Sequence, residues 1–372
     1  MKKICIAGFG AAAFAALSTL KRLGCRDKII IIDPKSCDLI HPCGLPYSLE
    51  NKVEQHLLEQ EISLERMGAS KIRGTLSAID SPHSVIVATA DSEVRMSFDT
   101  LLIATGSSPV IPPIINIDRF LNKGVFTLTS VTDLEKITAW IRDKQTAVVI
   151  GAGAIGLETA SALAHRGLSV TVLEMKDTIL PGVLDPDMAD DLQKSLSSSK
   201  ITIKTSTTVT EFIGENVFEG VRFSDGEIKA ELCILATGVS PNIQFAQSSS
   251  LHMMKTGIVT DDFLRSNVPH IFAAGDCAST RSAIDGKPIN AKLATSAYNQ
   301  GVITAYNIFG LEKEYSGSTG TFVSVIGNYE VAGTGFITHQ ARERGFDPVI
   351  AKIPSRISPD YFHSDEKITI KV

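Results

Sequence analysis

Gly8-Phe9-Gly10-Ala11-Ala12-Ala13 is the stretch on which the fold turns. Before it, residues 4–7 (ICIA) form an unbroken apolar run, the pattern of a strand buried on both faces of a parallel sheet. After it, an alanine-rich segment to about residue 23 predicts a helix, and residues 28–32 (KIIII) predict a second buried strand closed by Asp33. Strand, glycine turn, helix, strand and acid is the order of a dinucleotide-binding βαβ unit. Gly8 permits the tight turn, and Gly10 lets backbone N–H groups approach a pyrophosphate at the positive helix end. A small residue at Ala13 allows close helix–sheet packing, and Asp33 is placed to accept hydrogen bonds from a ribose diol. The N-terminus, Met1-Lys2-Lys3 and then ICIAGFGAAAFAAL, also has the outline of a secretory signal. The glycines at 8 and 10 and the second strand ending in an acid favour the βαβ reading.

The pattern repeats. Residues 147–150 (AVVI) read as a strand, Gly151-Ala152-Gly153-Ala154-Ile155-Gly156 as the turn, a helix runs to about His165, and strand 170–173 ends at Glu174. Two such units imply two dinucleotides. A carboxylate at 174 suits the free 2′-hydroxyl of NADH and repels the 2′-phosphate of NADPH, so NADH is expected over NADPH. One strand with a small-residue turn follows each unit: 101–106 (LLIATG), ending in Ala104-Thr105-Gly106, and 233–238 (CILATG), ending at Gly238. Each alone is a strand with a glycine turn; as a pair they point to a shared cofactor or crossover role. Residues 271–276 (IFAAGD) predict a strand ending in Gly275-Asp276, where the acid can orient a hydroxyl or a phosphate.

With 372 residues the chain is too long for one ordinary core. A net charge of −5 without blocks of like charge gives no nucleic-acid or anionic-membrane surface. No apolar run approaches the ~18–20 residues of a membrane span. The six cysteines are scattered, without a CxxC pair or a His/Cys cluster at metal spacing. That pattern predicts a reducing, cytoplasmic compartment, no disulfide framework and no metal site.

One cysteine stands apart. His41-Pro42-Cys43-Gly44-Leu45-Pro46-Tyr47 places Cys43 ten residues after Asp33 in a proline-punctuated segment. It reads either as a redox thiol or as a structural cysteine of a loop. Pro46 suits the first turn of a helix, so Cys43 is expected near a helix N-terminus whose positive potential would lower the thiol pKa. Cys5 and Cys233, in predicted strands, and Cys277, after the Gly-Asp turn, read as packing.

The whole series resembles the pyridine nucleotide–disulfide oxidoreductases with two dinucleotide-binding domains. It comprises GFGAAA, Asp33, Cys43, ATG at 104–106, GAGAIGLE, Glu174, ATG at 236–238 and AAGDC at 273–277, with ILPGVLDPDM (179–188) and LATSAYNQG (293–301) also similar. The fold so implied is α/β, with two Rossmann-like units of three-layer ββα type and a partial α+β dimerisation domain. Residues 1–110 and 238–312 would bind FAD, 111–237 the nicotinamide cofactor, and 313–372 would form the interface domain of a homodimer. The family match assigns FAD to Gly8, Gly10, Ala11, Ala12 and Asp33, to Pro42 and Cys43, and to Ala104, Thr105 and Gly106. Gly275, Asp276, Ala294 and Thr295 complete that set. It assigns NADH to Gly151, Gly153, Ala154, Ile155, Gly156, Glu174 and Gly238. Glu158 would lie at the nicotinamide end or serve as a helix-face carboxylate.

Disulfide reductases with a CxxxxC pair have a second thiol here, and Cys37 and Cys43 do not fit that spacing. Cys-Gly-Leu-Pro-Tyr resembles the coenzyme A disulfide and polysulfide reductases of the single-cysteine branch, which also contains NADH oxidases and peroxidases. The implied chemistry carries electrons from NADH through the flavin to Cys43 and on to a small disulfide or sulfur substrate, with Tyr361 contributed near the neighbouring subunit's cysteine. Two alternatives stand: an oxidase or peroxidase cycling Cys43 through sulfenic acid, against which counts the lack of histidine in the first glycine turn, and a low-turnover flavin-binding redox sensor or docking protein. The C-terminal region resembles a shortened dimerisation domain whose last strand, 367–372, is expected to lack its partners.

Overall fold

A computed structural model describes residues 1–197, 200–357 and 366–372. The predicted first unit forms as a five-stranded parallel sheet in the order Ile271–Ala273, Thr100–Ile103, Lys3–Ala7, Lys28–Ile32, Ala69–Ile72. Its strands are apolar throughout because both faces are covered. Ile4 and Ile6 point into one core with Leu17, Leu20 and Ala305, contributed by the helices Ala11–Arg22 and Ala294–Phe309. Cys5 and Ala7 point into the other, with Val85, Val87 and Met96. That side is closed by the antiparallel strands Thr75–Ser81, Ser84–Ala88 and Glu93–Ser97. The N-terminal residues are therefore a buried strand.

The second unit repeats the plan. Val125–Thr127, Leu232–Leu235, Thr146–Ile150, Ser169–Leu173 and Ile201–Lys204 form a parallel sheet in that order. The helix Ala154–His165 lies on one face, and the strands Val209–Ile213, Gly220–Phe223 and Gly226–Lys229 cover the other.

The two small-residue turns connect the units. Beyond them, Ser107–Pro109 and Val239–Pro241 run antiparallel and pair with each other. Thr105 Oγ1 donates to the Asn242 carbonyl at 2.7 Å, and Asn242 Nδ2 donates back to the Thr105 carbonyl at 3.0 Å. Thr237 Oγ1 donates to the Val110 carbonyl at 2.7 Å. The near-identical turns are thus the two strands of one crossover.

Past the long helix, the chain returns to the second unit. In the hairpin Phe322–Ile326 and Tyr329–Gly333, Ile326 and Val331 are buried in that unit's core. Burial of a side chain like Ile326 contributes about 1.5–3 kcal/mol. Thr338 then donates through its backbone N–H and its hydroxyl to Asp185, at 3.0 and 2.7 Å. The last strand departs from expectation: Lys367–Lys371 has a partner, pairing antiparallel with Lys352–Arg356. One face of this ribbon is basic, and its Lys352 and Lys371 reach Asp185, Asp187 and Asp191 at the start of the helix Pro186–Leu196. The other face exposes Ile353, Ile368 and Ile370. Among the described residues, no helix is long and apolar enough to cross a membrane, and no group of three or more His, Cys, Asp or Glu could hold a metal.

Candidate active site

In the first unit the chain turns at Gly8 with φ +89°, and a Cβ there would stand 2.2 Å from the Ala104 carbonyl oxygen. Only glycine combines that dihedral with so close a backbone approach. The helix then starts at Ala11 without a side-chain cap and without an acid in its first turn. Its orphan N–H groups face the open space beside Gly10, where nothing lies within 4 Å of a Cβ position. This is a cradle a phosphate fits. Asp33 is buried at the end of the second strand. It accepts from the Phe9 N–H at 2.7 Å, the Lys35 N–H at 2.9 Å and the Lys35 ammonium at 2.6 Å.

The second unit builds the same geometry. Gly151 has φ +104°, and its Cβ would lie 2.3 Å from the Ala236 carbonyl oxygen. Glu174 is buried and accepts from the Ala152 N–H at 2.7 Å and the Lys176 N–H at 2.8 Å. Gly156 sits against the Gly151 carbonyl, and Ile155 is left exposed at the mouth of the cradle. Above Gly153 and Gly238 the space is open. Both cradles therefore fit a dinucleotide.

Between them the structure brings together further predicted residues. Asp276 accepts from the Ser107 hydroxyl at 2.7 Å, and Gly275 donates to the buried Gln300 side chain at 2.7 Å. Ala294 and Thr295 open the long helix Ala294–Phe309 and are exposed. Cys43 lies in the tight turn Pro42–Gly44, exposed to solvent, ahead of the short helix Leu45–Leu49. Leu45 and Leu49 pack in the core of the second unit beside Leu157. The cysteine turn thus leaves the first sheet and is anchored on the second, bringing the thiol among acids of both.

That anchoring overturns the expected low thiol pKa. Burial by the surrounding protein pushes the Cys43 thiol up, and the Glu158 carboxylate adds to this, with a smaller contribution from Asp276. The helix behind it has only five residues, so its field is weak, while opposing charges come from elsewhere in the chain. Glu158 is itself raised by burial, and the Ser324 hydroxyl, donating at 2.5 Å, opposes that rise. Tyr47 is raised by burial and by Glu158, while the Val325 N–H stabilises its phenolate form. The three cysteines expected to pack do so: Cys5, Cys233 and Cys277 are fully buried, and burial pushes Cys5 up to about 11.

Sequence reasoning passed over Lys35, Gln300, Tyr47 and Ser324. Lys35 had a signal, a cation two residues after the acid. Ser324 had none, being brought to Glu158 by tertiary packing alone. Tyr361 lies outside the described residues.

Comparison with known proteins agrees with this geometry. Residues 2–301 match the family model described as pyridine nucleotide-disulphide oxidoreductase. The chain is 32% identical to an NADH oxidase of Methanocaldococcus jannaschii, over 99% of this chain and 83% of that protein. It is 30% identical to an NAD(P)H coenzyme A polysulfide/persulfide reductase of Pyrococcus horikoshii, over 100% of this chain and 84% of the relative. The solved NAD-dependent persulfide reductase of A. fulgidus superposes with a TM-score of 0.93 at 30% identity, covering 99% of this chain and 70% of that one.

Proposed function

Because the chain belongs to the pyridine nucleotide–disulphide oxidoreductase family, we propose that Cys43 is its substrate-attacking thiol. The substrate is a low-molecular-weight disulfide or sulfur compound such as coenzyme A disulfide or polysulfide. One observation carries this reading. Cys43 is an accessible thiol set among residues of both dinucleotide units, with the charges of Glu158 and Asp276 acting on it.

In this reading, residues 1–110 and 238–312 form the FAD-binding domain, 111–237 the NAD(P)H-binding domain and 313–372 an interface domain. The turn Gly8–Ala12, Asp33, the Ala104–Gly106 turn, Gly275, Asp276, Ala294 and Thr295 would hold FAD, with Pro42 and Cys43 facing it. The turn Gly151–Gly156, Glu158, Glu174 and Gly238 would hold NADH. When bound, FAD supplies the two-electron chemistry that links NADH to a disulfide. The protein's own part is to hold the nucleotides by backbone donors and buried acids, and to present Cys43. The Cys43 thiolate attacks one sulfur of the substrate, the S–S bond breaks, and the other sulfur leaves as a thiolate. Cys37 is buried and, like Cys43, a free cysteine, so in this reading the second sulfur comes from the substrate.

The exposed isoleucine face of the C-terminal ribbon supports a homodimer, and the six free cysteines support a reducing, cytoplasmic compartment. The decisive experiment is Cys43→Ser. NADH-dependent reduction of coenzyme A disulfide and polysulfide is expected to fall at least ~100-fold, with flavin content unchanged; survival of that activity would refute the thiol mechanism. The kinship with an NADH oxidase supports a second reading, in which Cys43 cycles through sulfenic acid. NADH consumption with oxygen or peroxide as the only acceptor, exceeding that with disulfide, would select it.

A further inference from the structure

Two carboxylates away from the thiol, with side chains 10% and 8% exposed, sit on the segments that leave the two cradles. Asp185 ends the stretch after Glu174, and that stretch is tied to the second glycine turn where the Leu180 N–H donates to the Ala152 carbonyl at 2.8 Å. Asp285 lies in the loop between the strands Ala278–Arg281 and Pro288–Ile289, the first of which starts just after Asp276. One short element joins the two acids. The helix Thr338–Glu343 opens with Thr338 bonded twice to Asp185, and Gln340 Nε2 donates to the neighbouring Gly182 carbonyl at 2.9 Å. Past the other end, Arg344 Nη1 donates to Asp285 Oδ2 at 2.5 Å, and the guanidinium lies 4.6 Å from the centre of the Phe336 ring. The second oxygen of Asp285 accepts the Lys287 N–H at 3.2 Å, so the carboxylate is fixed on its own loop. Six helical residues rise roughly 9 Å, a short span between the two units. Its approach is seated on both: Ser318 exchanges backbone bonds with Arg281 and Ala283, and the hairpin that follows buries Ile326 and Val331 in the second core. Elsewhere the units are joined by the crossover, whose strands have three residues each, and by the cysteine helix, whose Leu45 and Leu49 lie in the second core. Units linked through so narrow a ribbon turn about it unless further contacts fix them.

We propose that the helix Thr338–Glu343, with Arg344, is a clasp that fixes the angle between the two cradles, and that Asp185, Asp285, Thr338 and Arg344 are positioning residues for electron transfer between the nucleotides bound there. This rests on the reading that the first cradle holds FAD and the second NADH. In that transfer the nicotinamide gives a hydride to the flavin and is left as NAD⁺, so two electrons and a proton cross together. Such a step needs reacting atoms about 3–3.5 Å apart, and a misplacement of about 1 Å costs roughly 100-fold. Neither cradle sets that distance alone, because each belongs to its own sheet. A turn of roughly 5° acting over about 13 Å, the radius of a 100-residue domain, moves one cradle by about 1 Å. The clasp holds each unit by the segment that leaves its cradle, and so opposes that turn where the distance matters.

Hydrogen exchange followed by mass, on the flavin-loaded protein, reads the clasp without turnover. In Arg344→Ala, peptides containing the crossover strands 107–109 and 239–241 should exchange several-fold faster, while Lys3–Ala7 and Thr146–Ile150 in the two sheets keep their protection. A contact of merely local worth would speed exchange around residues 338–346 alone. Flavin reduction by NADH in the absence of oxygen gives the second readout. Its limiting rate at saturating NADH should fall about tenfold in Arg344→Ala, with the half-saturating NADH concentration unchanged. Asp285→Asn keeps an acceptor for the Lys287 N–H and loses the charge, so both readouts should move the same way by less. Arg344→Lys, which keeps the charge, should recover most of the loss. Lys352→Ala is the control, because its ion pairs are with Asp187 and Asp191 of the second unit, and it should change neither readout. Unchanged exchange at the crossover, or an unchanged limiting rate, in Arg344→Ala overturns the proposal. If NADH fails to reduce the flavin of the unaltered protein, the reading of the two cradles fails instead, and the two failures are distinct.

Discussion

The two glycine turns are near copies in geometry and differ in charge. In both, the residue after the first glycine donates to one oxygen of the acid, and the residue two past the acid donates to the other. In both, the first glycine lies against the carbonyl of an Ala-Thr-Gly turn. Yet the Lys35 ammonium neutralises Asp33 at 2.6 Å, while no cation pairs with Glu174 among the described residues. The first cradle is electrostatically closed on itself, which suits a nucleotide that stays. The second keeps an uncompensated buried carboxylate, which on the proposed assignment would accept a ribose diol and repel a phosphate in its place. On the proposed assignment, the same backbone would serve a resident and an exchanging ligand through one side chain.

Three experiments bear on this comparison. The largest effect is expected from Gly8→Ala and Gly151→Ala, since each adds a Cβ about 2 Å from a backbone carbonyl at a left-handed dihedral. Strain and overpacking together should cost ~2–5 kcal/mol at either site, read as a similar fall in unfolding free energy. Function should then diverge: Gly8→Ala yields protein without flavin absorbance, while Gly151→Ala stays yellow and loses NADH affinity. Equal loss of flavin in both would break the assignment of the two cradles. Next, Glu174→Ala should shift the kcat/KM ratio of NADH to NADPH toward NADPH by roughly tenfold, about 1.4 kcal/mol. An unaltered ratio would mean that the carboxylate plays no part in nucleotide choice. The smallest effect belongs to the lysines. Lys35→Met should weaken flavin retention a few-fold, under ~1 kcal/mol for a partly exposed pair, whereas Lys176→Met, at the matching position, should leave NADH affinity unchanged. Titration of the apoprotein with flavin checks the first and steady-state KM the second.

Most of the fold could be read from local pattern. Buried parallel strands are continuously apolar, turns that admit a phosphate need glycine, and the acid must end the second strand, so each unit announces itself within about 25 residues. The crossover was half legible: two copies of Ala-Thr-Gly implied a shared role, but that Ser107–Pro109 and Val239–Pro241 pair with each other became visible only in space. The thiol's exposed position ahead of a short helix was legible, and its electrostatics were misjudged. Pro46 does open a helix, but five residues of helix count for less than burial and a carboxylate 115 positions along the chain.

By itself, then, the amino-acid order determined the two dinucleotide units, their acids and the solitary cysteine, because those features depend on neighbours within a few tens of residues. Tertiary structure alone decided what surrounds the cysteine. Ser324 meets Glu158 across 166 residues of chain, and the C-terminal hairpin completes the second unit's core. No periodicity encodes such a meeting. It follows from which apolar faces are left to cover once both sheets have formed, and the polar groups that those faces carry with them set the charge and the proton inventory around Cys43.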